Sequence, residues 1–146
     1  MADDSDHVVH EHRARFADTD QEGVVFYGTY VTYADEAFNA YLRAIGHDYD
    51  RIRADGWGLR VVTTELEYHE SAHAGDRLQG AVRVESIGES SIDTACRILR
   101  PEDDVVLAAA TTTHVAVDDA GESTVRVPEK FRQAVVAFQD VPPDPV

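Results

Sequence analysis

The alternation of apolar and polar residues divides the chain into strands and helices. From Val8 to Phe16 it is nearly two-fold: Val8, His10, His12, Ala14 and Phe16 share one face and Glu11, Arg13 and Arg15 the other, which predicts a strand. Asp18 to Gly23 is loop-like. From Tyr27 to Ile45 the period lengthens to that of a helix. Tyr30, Ala34, Ala37, Phe38, Tyr41 and Ile45 form one stripe, with Val31 and Leu42 beside it, and Gly46 is placed to end it. Gly46 to Gly56 is expected to be loop. The period then returns to two over Leu59–Tyr68, Leu78–Ile87, Ser91–Leu99 and Val105–Val117, separated by the turns His73–Asp76, Gly88–Ser90, Pro101–Asp104 and Asp118–Gly121. Pro128 suits the first turn of a closing helix that runs to Phe138. The predicted order is β-α-β-β-β-β-α. Strands joined by short turns imply an antiparallel five-stranded meander, and one long apolar helix needs that sheet to wrap around it, giving an α+β domain.

At 146 residues this is one domain, with an ordered core over about 7–138 between an acidic start and the tail VPPDPV. The prolines Pro142, Pro143 and Pro145 predict a frayed tail. The balance of 28 Asp+Glu against 13 Lys+Arg leaves a net charge of -15. A surface of that sign repels nucleic acid and anionic membranes, so neither is an expected partner. The start MADDSDHVVHEH has no apolar segment of a secretory signal, and no apolar run is long enough to span a bilayer; a cytoplasmic protein is expected. All basic residues but Lys130 are Arg, and acids crowd Asp3-Asp4, Asp103-Asp104 and Asp118-Asp119, a composition that resembles proteins of salt-accumulating halophiles.

Cys96, the single cysteine, excludes an internal disulfide and a cysteine zinc site and is read as a small core residue. His7, His10 and His12 alternate along a strand, where a metal site is conceivable but a solvated or intersubunit surface is the preferred reading. His69 and His73 fall in a strand end and turn, without the helical spacing of a zinc protease. His114 reads as a hydrogen-bonded histidine within a strand.

The chemistry concentrates in Arg15–Glu36, RFADTDQEGVVFYGTYVTYADE. Two carboxylates, Asp18 and Asp20, sit in a loop just ahead of a helix start, where unpaired N–H groups can hold an oxyanion and a carboxylate can attack a carbonyl or activate water. A D-x-D alone is more often a plain Asx-turn. It also occurs in haloacid-dehalogenase-like phosphotransferases, but those need a buried apolar strand before it and Thr or Val after it; here His12–Phe16 precede and Gln21 follows, so that reading is rejected.

The ordered set Asp18, Asp20, Gly23, Val24, Val25, Tyr27, Tyr30, Tyr33, Glu36 and Ala37 resembles the signature of hotdog-fold acyl-CoA thioesterases, specifically the 4-hydroxybenzoyl-CoA thioesterase family and its YbgC-like branch. The resemblance implies a hotdog fold over about His7–Phe138 and hydrolysis of an acyl-CoA to acid and coenzyme A, with no metal and no organic cofactor. Asp20 would be the catalytic carboxylate, as nucleophile or general base. The N–H groups near Tyr27 and Gly28 would polarise the thioester carbonyl. Gly23 would turn the loop and Asp18 shape it. Val25, Phe26 and Tyr30 would line the substrate site. Ser90 and Ser91 would contribute to coenzyme A binding, although Glu89 stands where the family often has a basic residue; Arg97, Arg100, Arg126 and Lys130 are candidate replacements. The site would lie at the subunit interface of a homodimer or homotetramer. Two alternatives stay open: an acyl carrier protein thioester as substrate, and a non-catalytic hotdog that binds acyl thioesters or assembles with partners.

Overall fold

A computed structural model describes residues 6–146; the acidic pair Asp3-Asp4 lies outside them. Strand β1 (His7–Arg13) leads through a single 3-10 turn, Phe16–Asp18, and a tight hairpin to helix α1 (Thr29–Ala44). A short helix α2 (Tyr49–Ala54) precedes β2 (Trp57–Tyr68), β3 (Arg77–Ile87), β4 (Ser91–Arg100) and β5 (Val105–Asp118), and α3 (Glu129–Phe138) closes the chain. The strands form one antiparallel sheet in the order β1-β3-β4-β5-β2. Among the described residues no helix is long and apolar enough to cross a membrane.

Most of the helix stripe does what its period predicts; Tyr33, outside that stripe, is buried as well, and Val31, beside the stripe, is 43% exposed. Tyr30, Tyr33, Ala37, Phe38 and Tyr41 are buried, and with Leu78, Val82, Ile92, Ile98 and Leu107 of the sheet they form the core. The closest approach is at Gly80 of β3, where a Cβ would stand 2.6 Å from the Cβ of Ala37. Glycine there lets the helix settle into the curved sheet.

Four expectations are corrected. The sheet is not a simple meander: β3, β4 and β5 follow one another, but β2 pairs with the far side of β5, and residues 69–76 cross from one to the other. Three strand spacings are about 14 Å, and eight extended residues reach about 26 Å, so a short link does not force its strands to be neighbours. In β1 a register shift between Val8 and His10 breaks the two-fold pattern. Val9 therefore packs on the core, Val8 is exposed, and Phe16, in the 3-10 turn, is 85% exposed. The Gly46–Gly56 segment holds α2, capped by Asp48, whose carboxylate accepts the Arg51 N–H at 2.9 Å. The proline tail is held near its end and not frayed: the Pro145 carbonyl accepts the Ile87 N–H at 2.8 Å, and the Asp144 N–H donates to Glu85 at 3.0 Å.

Candidate active site

The loop before α1 is a hairpin held by backbone hydrogen bonds. Thr19 and Val25 pair across it, and the Asp20 N–H donates to Val24 at 2.9 Å. The Gly23 N–H donates back to the Asp20 carbonyl at 3.0 Å, and Gly23 itself turns at φ 80°, left-handed backbone that disfavours any side chain. One carboxylate oxygen of Asp20 accepts the Glu22 N–H at 2.8 Å, the Asx-turn that its position suggested. The other oxygen has no protein partner among the described residues.

Asp18 secures this hairpin to the helix. Its buried carboxylate accepts the Arg15 N–H at 2.9 Å, the Tyr33 hydroxyl at 2.8 Å and the Arg15 guanidinium at 3.1 Å. Burial alone would raise its pKa; the hydrogen bonds from Arg15 and Tyr33 outweigh this and hold it below the usual carboxylate value. On Tyr33 the two act together: burial, then the hydrogen bond to Asp18, pushes the phenol well above its ordinary pKa, so it stays a donor. The Asp18 carbonyl accepts the Phe26 N–H at 2.9 Å and the Thr29 hydroxyl at 3.3 Å. One residue thus sets the angle between hairpin and helix.

The helix begins at Thr29, two residues later than its period predicted, because the first turn is tightened. Thr29, Tyr30 and Val31 donate to the carbonyls three residues back, at 2.9, 3.4 and 3.2 Å. The N–H groups of Tyr27 and Gly28 have no acceptor among the described residues. A Cβ on Gly28 would meet the Phe26 ring at 2.7 Å, so glycine lets that ring fold over the helix start. The Tyr27 carbonyl accepts the Tyr68 hydroxyl at 3.0 Å, and the rings of Tyr27, Tyr30 and Tyr68 meet edge to face.

Asp20, Val24, Val25, Tyr27 and Tyr30 line one open cleft of about 270 Å³. Its other wall is Tyr68, His69, Glu70 and Ser71, the end of β2 and the start of the crossing link. No periodicity marks these four; topology brings them here. The link is fastened to the hairpin, since the Val25 N–H donates to Ala72 at 2.8 Å and the Ala72 N–H to the Tyr30 hydroxyl at 3.1 Å. Arg100 braces it through Asp76 at 3.2 Å and by donating to the Ser71 carbonyl at 3.3 Å. This arrangement can set an unshared carboxylate oxygen against a carbonyl held by backbone donors.

Ser90 and Ser91 are not part of this cleft. Tyr68 pairs with Ala108 and Ser91 with Val115, seven residues further along β5, or about 23 Å at 3.3 Å per residue. Within one chain the two groups lie at opposite ends of the sheet. Of the candidate phosphate ligands, Arg97 pairs with Asp6 and Arg100 with three acids. Arg126 approaches Glu89 and Glu129 at 4.0 and 3.8 Å.

The histidines depart from their sequence reading. His10 and His12 turn inward against α1, His10 3.5 Å from Glu36 and His12 with its ring 4.5 Å from that of Tyr33. His7 packs on Phe138. Among the described residues no three His, Cys, Asp or Glu side chains gather as a metal site. His114 has no hydrogen-bond partner at either ring nitrogen, contrary to expectation. Cys96 is buried, as expected, and burial, then Asp6, pushes its thiol up to about 12.

The family model described as Thioesterase-like superfamily matches residues 14–135. A 1,4-dihydroxy-2-naphthoyl-CoA hydrolase of Synechococcus elongatus is 26% identical over 120 residues, 81% of this chain and 87% of that protein. The crystal structure of a 1,4-dihydroxy-2-naphthoyl-CoA thioesterase from Synechocystis superposes with a TM-score of 0.82 at 24% identity, covering 92% and 98% of the two chains. A hypothetical protein of Thermus thermophilus has a TM-score of 0.82 at 28% identity, covering 90% and 99%.

Proposed function

The chain belongs to the thioesterase-like superfamily, and from that premise we propose that it hydrolyses an acyl-CoA thioester with Asp20 as the catalytic carboxylate. One observation carries the reading: an unshared oxygen of Asp20 lies in the same cleft as the helix start where the Tyr27 and Gly28 N–H groups have no acceptor. The thioester carbonyl oxygen is received by those two N–H groups, and negative charge developing on it is stabilised by them and by the positive end of α1. Asp20 either attacks the carbonyl carbon or removes a proton from the water that does. By either route the C–S bond breaks and the coenzyme A thiolate leaves, taking up the proton that water gives up; in the nucleophilic route water then splits the mixed anhydride formed on Asp20, which releases the acid and regenerates the carboxylate. Asp18 and Tyr33 position the hairpin; they do not touch the substrate.

The proposed assembly is a homodimer through β2. This strand is an edge of the sheet, 12 residues long, with Val61 and Val62 more than half exposed. A long exposed edge strand is a template for another strand. Pairing there would bring a second chain, and with it another β3–β4 turn carrying Ser90 and Ser91, beside the first. The relatives that act on naphthoyl-CoA favour an aryl acyl group, which the Tyr27, Tyr30 and Tyr68 rings suit. The net charge of -15 supports operation at high salt.

The test is coenzyme A release from a panel of aryl and aliphatic acyl-CoAs in molar KCl, with wild type beside Asp20→Asn. Turnover of some member, reduced at least a hundredfold in a variant that stays folded and oligomeric, is the expected result. Turnover unchanged in Asp20→Asn removes the catalytic role.

A further inference from the structure

His114 sits in the middle of β5, opposite Ile92 of β4 on one side and Val61 of β2 on the other. Its side chain points to the helix face of the sheet, where its ring stacks on Phe38 with centroids 4.3 Å apart and planes 16° from parallel. It is 3% exposed, and neither ring nitrogen has a hydrogen-bond partner. An apolar protein interior does not leave a polar ring empty-handed without reason. The hydroxyls beside it are already engaged: Thr94 donates to the Thr112 carbonyl at 3.4 Å, and Thr64 and Thr112 bond each other at 2.8 Å.

The ring borders a pocket of about 60 Å³ between α1 and the sheet, lined by Val31, Asp35, Phe38, Val61, Thr94 and others, most of the lining apolar. Tyr30, which lines the cleft, and Ala34, which lines the pocket, are four residues apart on one face of α1, and Val31, Asp35 and Phe38 extend the pocket further along the helix. At 1.5 Å per residue the pocket lies about 5 to 15 Å beyond the N-cap Gly28 along the helix. That is the reach of an aryl or medium-length acyl group whose thioester carbonyl is held at the Tyr27 and Gly28 N–H groups. The space is less than half of the roughly 150 Å³ that takes up a benzene molecule, so it suits the tip of an acyl group.

Resting on the acyl-CoA reading of the cleft, we propose that His114 is a specificity-determining residue that selects acyl groups carrying a hydroxyl at their far end. Burial keeps the imidazole neutral at physiological pH, with a pKa lowered to about 4. A neutral imidazole offers one donor and one acceptor. A hydroxyl, which both donates and accepts, satisfies either nitrogen, whereas the largely apolar lining and the Asp35 carboxylate disfavour an anionic tip. An acyl group lacking the hydroxyl would displace any water from the pocket and leave the ring unpaired, which is the asymmetry that gives strong discrimination.

The experiment pairs benzoyl-, 2-naphthoyl- and decanoyl-CoA with the same compounds hydroxylated at the far end. Binding is measured by calorimetry on Asp20→Asn protein, and turnover on wild type. In at least one pair the hydroxylated member should bind about tenfold tighter or more. Adding His114→Phe, which keeps the ring stack, should bring that ratio within about threefold by weakening the hydroxylated member. His114→Gln, with an amide donor and acceptor, should restore part of it. Turnover with equal affinities in every pair, or a preference that survives His114→Phe, means that the pocket holds only water and the imidazole is structural; this overturns the inference and leaves the hydrolase reading standing. Hydroxyl-dependent binding lost in His114→Phe, with no turnover of any member, does the opposite. Neither turnover nor discrimination overturns both.

Discussion

Replacing His114 by Phe should change how the fold responds to acid, and the size of the effect follows from burial. The unfolded histidine titrates near 6.5, and in the folded chain desolvation lowers the value to about 4. Between these values the unfolded chain binds more protons than the folded one, so stability falls as pH drops from about 6.5 to about 4. At 1.36 kcal/mol per pKa unit the full loss is about 3 kcal/mol, and about 2 kcal/mol of it is already present at pH 5. Phe cannot titrate and fills the same stacked position on Phe38. His12 and His47, whose pKa values burial also lowers, remain in both proteins and cancel in the comparison. The assay is urea unfolding of wild type and His114→Phe at constant ionic strength from pH 7.5 to 4.5. The gap in unfolding free energy should move by about 2–3 kcal/mol in favour of the variant across that range. Two curves that stay parallel within about 0.5 kcal/mol would refute a neutral, desolvated His114.

Tyr33→Phe removes a donor to the buried Asp18 carboxylate and should cost about 1.5–3 kcal/mol in chemical unfolding. It should also lower kcat more than it raises KM, because the hairpin carrying Asp20 loses its anchor. Tyr68→Phe leaves the Tyr27 carbonyl without its hydroxyl partner and should reduce kcat by about tenfold with little loss of stability, measured by steady-state kinetics beside thermal unfolding. Val62→Asp puts a charge on the exposed β2 edge and should shift sedimentation from dimer to monomer, with activity lost in parallel; an active monomer would disprove a shared site. Raising KCl from about 0.1 M to about 2 M should raise the urea midpoint by screening the acidic surface; an unchanged midpoint would argue against a salt-adapted charge balance.

Local signals located the main parts. The stripe of Tyr30, Ala37, Phe38 and Tyr41 predicted α1 and the residues that it buries, because a helix period is written in positions three and four apart. The segment from Asp18 to Glu36 placed a carboxylate loop ahead of a helix start; the structure closes that loop as a hairpin through bonds between residues a few positions apart. The α2 signal was present in Asp48, three residues before the N–H that it caps, but a six-residue helix carries too little period to stand out from a loop. The β1 bulge hid for the converse reason: a single register shift puts Val9 inside and Val8 outside while the residue types still alternate.

Length and residue order by themselves determined the α+β class, its strands and long helix, the loop that carries Asp20 and an acidic composition. Only the tertiary structure decided what meets what. The crossing from β2 to β3 brings Tyr68, His69, Glu70 and Ser71 to the cleft and sends Ser90 and Ser91 to the other end of the sheet. Packing α1 onto the sheet stacks Phe38 on His114, which turns an ordinary strand residue into an unpaired imidazole in an apolar pocket. Period and capping act over one or two turns of chain and can be read from neighbours. Strand order and desolvation depend on residues far apart in sequence, and these exist as neighbours only once the sheet has closed around the helix.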